Sequence, residues 1–235
     1  MENRPLLIIV VLLLLAFKVS GQSFAYGDHW YSNPLGFDPV NLHTKNGFII
    51  PAIAAGICLL TTHADSQFVN RISFYNESGI SWGYKYPYAT LLQNNTGIQY
   101  YLRRWMSAGI DIGFYFPSDP FNRTTGISIR PFFRFYPVNN DVWRIYFESG
   151  GGIIYFFEQF PKPTDKDPRL GTNWNGTTRY GVGGEISIDR RFAVIFGVRH
   201  VHVSNGNTIG VERNPSHDSN GLFIGLSFRP VNSNK

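Results

Sequence analysis

Near its C-terminus the chain carries residue types whose spacing could do chemistry. His202 and Ser204 lie two apart, and carboxylates follow at Glu212 and Asp218. In an extended segment, residues two apart share a face, with Cβ atoms roughly 6.5–7 Å apart along the strand. An imidazole tilted along the strand could reach the serine hydroxyl and take its proton. Such a serine also needs an acid to orient the base and donors for the oxyanion. His-x-Ser is a short pattern that chance also supplies. The competing chemistry is a metal site, because His200, His202, His217 and Asp218 offer nitrogen and oxygen donors that suit zinc. That set would need two histidines of one strand to meet a loop partner in tight geometry, and we expect neither a metal nor a cofactor. His63 and Asp65 are an isolated pair, expected in a loop. The single cysteine, Cys58, leaves no intrachain disulfide and no all-cysteine metal site. No glycine-rich phosphate loop or dinucleotide fingerprint is present.

The elements that must position these residues follow a period of two. Ile110, Ile112, Phe114 and Phe116 alternate with Asp111, Gly113 and Tyr115. Ile127, Ile129, Pro131, Phe133 and Phe135 alternate with Ser128, Arg130, Phe132, Arg134 and Tyr136. The same alternation recurs around Trp143 to Glu148, Tyr180 to Asp189 and Leu222 to Arg229, and it predicts about eight strands. Loops rich in Asn, Asp, Gly and Pro separate them at 118–125, 161–176 and 205–221. In 192–204, Phe192, Val194, Phe196 and Val198 form the apolar parity. Continuing it reaches His200, His202 and Ser204. No segment offers a convincing amphipathic helix. The apolar run 48–60, interrupted by Pro51 and Gly56, is expected to be a strand, or a strand leading into a turn.

The polar parity decides which all-β architecture this is. It carries Asp111, Arg130, Arg134, Arg144, Glu148, Glu185, Asp189, Arg199 and Arg229 with several glycines, and lysine is rare. A soluble barrel would show a lysine-rich solvent face. Both signs of charge plus glycine fit a narrow lumen in which acids and arginines pair, with the apolar face turned to lipid. Trp82, Trp105, Trp143 and the Tyr84/Tyr86/Tyr88 cluster suit interfacial girdles. Of 235 residues, 43% are hydrophobic, 16% aromatic and 16% charged, against roughly 25% charged in a soluble domain. Disorder, coiled coil and helical repeat are excluded on that composition. The net charge of +5 comes from scattered Lys and Arg, so no nucleic-acid partner is expected. Residues 1–21 have the polar start, apolar run and small residues of a secretory signal peptide, the run being shorter than the ~20 residues of a spanning helix. Residues 22–46 are expected to be an irregular segment, 47–229 an all-β, small antiparallel transmembrane β-barrel, and 230–235 a C-terminal tail. The expected location is a bacterial outer membrane, with its lipids as surroundings; the glycosylation sequons at Asn76, Asn94, Asn122 and Asn175 are then coincidental.

The segment His202-Val203-Ser204-Asn205-Gly206, followed by Asn214-Pro215-Ser216-His217-Asp218, resembles the lipid A 3-O-deacylase (PagL-like) family, several of whose members are called acyloxyacyl hydrolases. The likeness runs over about 192–228. It implies an eight-stranded outer-membrane barrel that removes an ester-linked acyl chain from lipid A of lipopolysaccharide. It implies that Ser204 is the nucleophile, His202 the base, Asp218 the orienting acid and Asn205 an oxyanion donor. The acid is commonly Glu in that family, the loop here is about two residues longer, and Ser216 replaces a glycine. Glu212 is therefore the alternative acid, and Asp218 is preferred because it keeps its offset from Asn214. The alternative function is a non-enzymatic structural or adhesive barrel.

Overall fold

The computed structural model describes residues 44–63, 71–83 and 88–230. The expected signal peptide, most of the segment 22–46, Tyr84, Tyr86 and nearly all of the tail lie outside the described residues. Helix α1, Thr44–Thr61, is followed by strands β1 (Ile72–Gly83), β2 (Thr90–Arg103), β3 (Met106–Ser118), β4 (Gly126–Asn139), β5 (Trp143–Phe160), β6 (Thr172–Ser187), β7 (Phe192–Ser204) and β8 (His217–Phe228). Each strand pairs antiparallel with the next, and β1 pairs with β8 to close the barrel. Turns at 104–105, 140–142 and 188–191 make one short-turned end. Loops at 119–125, 161–171 and 205–216 make the other, long-looped end.

The inward parity is charged and tightly paired. Arg130 and Arg179 both reach Asp111 Oδ2, at 2.5 and 2.6 Å, and Arg134 reaches Glu148 Oε2 at 2.7 Å. Arg199 donates to Glu77 Oε1 at 2.6 Å, and Tyr75 donates its hydroxyl to Asp111 at 2.7 Å. The Arg134 guanidinium lies 4.6 Å from the Tyr75 ring centre and 4.5 Å from that of Tyr146. Glu77, Asp111, Arg130, Arg134 and Arg179 are buried. This is the acid–arginine lumen that the polar parity predicted; Glu77 and Arg179 join it although the pattern did not single them out. Asp189 does not. It sits in the β6–β7 turn, where its carboxylate accepts from the backbone N–H groups of Arg191 and Phe192. The opposite parity, with Phe74, Ile112, Phe114, Ile129, Leu222 and Ile224, is exposed, as a lipid-facing surface requires. Trp143 is exposed at the short-turned end, while Trp105 packs beside α1.

The run 48–60 is a helix, not a strand, and the first strand begins at Ile72 rather than near residue 47. Periodicity cannot separate a short all-apolar strand from an all-apolar helix. Pro51 lies inside α1 and has no N–H for the carbonyl four residues back, which belongs to Gly47. That orphaned carbonyl accepts from Ser149 Oγ, on the outward face of β5, at 2.8 Å. Gly47 must be glycine here, because a Cβ would stand 2.2 Å from Thr178 Cγ2 on β6. Further along, Ala55 and Cys58 pack on Met106 and Phe135, and the Phe48 ring lies 5.8 Å from that of Phe133. Arg103 then donates to the carbonyls of Leu59 and Thr62, which satisfies the helix C-terminus. Helix α1 thus lies on the outer wall, over β4, β5 and β6.

Candidate active site

The site forms where β7 ends and β8 begins, at the long-looped end. His202 and Asp218 are register partners across these strands, and His202 Nδ1 lies 2.6 Å from Asp218 Oδ1. Both share the outward parity of Phe196, Leu222 and Ile224, yet His202 is only 6% exposed and Asp218 1%. His200, one row below, places Nε2 3.5 Å from the same carboxylate oxygen and Nδ1 2.9 Å from Asn220 Oδ1. The Tyr180 ring stands 4.9 Å from the His200 ring. Asp218 therefore lies between two imidazoles. With Nδ1 turned to the acid, proton exchange at His202 falls to Nε2.

Ser204 is the last residue of β7, on the same face as His202. Its hydroxyl donates to Asn214 Oδ1 at 3.0 Å and accepts the Gly206 N–H at 3.0 Å. The serine proton thus points at Asn214. Gly206 has a φ of 66°, which glycine adopts without strain and which aims its N–H back at the serine oxygen. The Asn205 N–H also donates to Asn214 Oδ1, at 3.2 Å, while the Asn205 side-chain amide donates to the Arg213 carbonyl at 2.6 Å and Thr172 Oγ1 at 3.3 Å. Asn205 is engaged in tying the loop, so Gly206 N–H is the donor nearest the serine oxygen.

Neighbouring elements hold this loop in place. Arg213 donates to the carbonyls of Leu170 and Gly171, and Arg169 donates to that of Asn214 at 3.3 Å, so the 161–171 and 205–216 loops brace each other. The Arg169 side chain beside Asp167 holds that carboxyl below its ordinary range. Glu212 lies in a short 3-10 helix, Val211–Arg213, with its side chain exposed. Of the two acids weighed, Asp218 meets His202. His217 has the opposite parity, pairing with Val203, so His200, His202, His217 and Asp218 do not converge, and among the described residues no group of three such ligands is poised for a metal. Asn214 is a positioning group that its residue type alone did not reveal; only its place in the Asn-Pro-Ser-His-Asp run drew notice.

Fold and site together define an outer-membrane β-barrel with an acid–imidazole–serine row on its lipid side. The family model of the lipid A 3-O-deacylases (PagL) matches residues 79–227, more than half of the chain, and the chain belongs to that family. Among solved structures, the outer membrane enzyme PagL is 17% identical, with 66% of this chain and 99% of that one covered at a TM-score of 0.47. Neisserial surface protein A is 10% identical, with 68% and 97% covered at a TM-score of 0.53, a likeness of fold. No curated protein matches the chain in sequence.

Proposed function

We propose that this lipid A deacylase family member is a serine esterase that removes an ester-linked acyl chain from lipid A, or a related lipid, at the outer face of the barrel. Ser204 Oγ attacks the ester carbonyl while His202 Nε2 takes its proton. Asp218 holds the imidazole by Nδ1 and stabilises the imidazolium that forms. The N–H of Gly206, with that of Asn205 beside it, stabilises the oxyanion. The imidazolium returns the proton to the departing alcohol of the sugar, leaving an acyl-serine. Water, activated by the same imidazole, then releases the fatty acid. Surrounding outer-membrane lipids deliver the substrate laterally, because the row opens on the lipid side and not into the charge-filled lumen.

The observation that carries this reading is the 2.6 Å His202–Asp218 pair on the same outward face as Ser204. A structural barrel has no use for a buried acid–imidazole pair on that face, where polar groups are costly. The test compares lipid A mass spectra from cells expressing wild type or Ser204→Ala, with barrel folding followed by heat-modifiable gel mobility. Loss of one acyl chain with wild type, and intact lipid A with the folded variant, is the expected result. Deacylation by folded Ser204→Ala would remove the serine from the mechanism.

A further inference from the structure

We infer that His200 is a positioning residue for this chemistry: it turns an N–H on Asp218 from the side away from Ser204 and steers the carboxylate that orients His202. The inference rests on the esterase reading above. It adds a second imidazole, which an acid–imidazole–serine row does not require.

Register is the first argument. On the outward face, Thr178, His202 and Asp218 form one cross-strand row of β6, β7 and β8. Tyr180, His200 and Asn220 form the next row, further from Ser204. The His200 ring does not stay within its own row. Nδ1 meets Asn220 Oδ1 at 2.9 Å, and Nε2 reaches across to Asp218 Oδ1 at 3.5 Å. His202 Nδ1 meets the same oxygen at 2.6 Å. Both imidazoles converge on one carboxylate oxygen, and the longer contact steers the carboxylate while leaving the short bond to His202.

Protons are the second. An ionised carboxylate only accepts, so the His200 nitrogen that faces it is the one to carry a hydrogen. Asn220 makes no contrary demand, because an amide can offer Nδ1 either its oxygen or its NH2 group. With the oxygen there the ring carries two N–H groups and a positive charge. With the NH2 group there it carries one N–H and no charge. Nε2 presents its hydrogen to Asp218 in both. Burial is the third argument. His200 and Asn220 are buried on a face whose next row is Val182, Val198 and Leu222. Polar groups are costly on the lipid side, and a wall that needed only packing would continue the apolar row. Among the described residues, the titratable groups that face His200 are Tyr180 from β6, Asp218 from β8 and His202 along β7. A second proton on His200 sets a cation beside Asp218 and opposes the imidazolium that forms on His202. The two rings therefore titrate as a coupled pair.

Two substitutions test the role. His200→Phe keeps a ring in the wall and removes the N–H. His200→Gln sets an amide NH2 group near the place of Nε2 and cannot titrate. Full-length folded protein is assayed on lipid A in detergent from acid to neutral pH. The expected result is a fall in kcat of about fivefold for His200→Phe, with KM little changed, and partial recovery in His200→Gln. The acid limb of log(kcat/KM) should be steeper by one proton in wild type than in His200→Gln. Limbs of equal slope, or a His200→Gln variant no faster than His200→Phe, overturn the inference. A second measurement separates this from failure of the esterase reading. The ring nitrogens of the histidines are followed through pH by NMR in micelles. A His202 titration in two coupled steps in wild type and one step in His200→Gln upholds the linkage through Asp218 even if no ester is hydrolysed. A His202 titration identical in the two proteins overturns it.

Discussion

At Ser204 the hydroxyl has one proton to donate, and Asn214 Oδ1 holds it at 3.0 Å. His202, by contrast, already has its orienting acid. Loss of the acid from such a row can cost on the order of 10⁴ in turnover, because the imidazole loses its tautomer and the forming imidazolium its counter-charge. We therefore expect Asp218→Asn to lose most activity and Glu212→Gln to keep most of it, in single-turnover assays on folded protein with lipid A in detergent. The reverse ranking would move the acid role to the loop. Glu212 and Asp218 are separated only weakly by sequence, since a loop need not preserve strand alternation. The β7–β8 register does separate them, by setting Asp218 directly across from His202.

At the level of elements, the two braced loops carry a pH dependence. Asp167 accepts from the backbone N–H and the side chain of Arg169, which hold its carboxyl below the ordinary range. A depressed carboxyl contributes order that is present above its unfolded value and lost as pH falls through its folded one. Acidification below the usual carboxylate range should thus free the 161–171 loop, read as faster proteolysis there, and Asp167→Asn should show that rate already at neutral pH. A wild-type cleavage rate flat through acid would remove Asp167 from the brace. Helix α1 belongs to this scale too. Its residues look like a buried strand until Ser149 and Thr178 are known to lie where Gly47 lands.

Across the whole molecule, stability depends on charges that have left water. Arg134 is buried between Glu148 and the rings of Tyr75 and Tyr146. Removing one partner of a buried pair strands the other and costs about 3–5 kcal/mol, whereas replacing both by apolar groups of similar volume is often neutral. Glu148 is held by three arginines rather than one, because Arg130 and Arg179 reach its Oε1 at 3.1 and 3.2 Å. Arg134→Met should therefore lower the urea midpoint in lipid micelles modestly, and adding Glu148→Leu, which takes an acid from Arg130 and Arg179, should lower it further. A double variant as stable as Arg134→Met alone would show that Asp111, which both arginines also reach, suffices to hold Arg130 and Arg179.

The sequence by itself determined the strands, the sidedness of the wall and the serine–histidine face. All three follow from strict alternation, because a strand's side chains have only two directions to take. Only the tertiary structure decided which distant charges meet in the lumen and which acid faces His202. Those pairings depend on strand register and closure, which local periodicity does not encode. It alone also decided that 48–60 is a helix. An all-apolar run has no period to read, and its orphaned Gly47 carbonyl finds its donor 102 residues away in sequence, on Ser149.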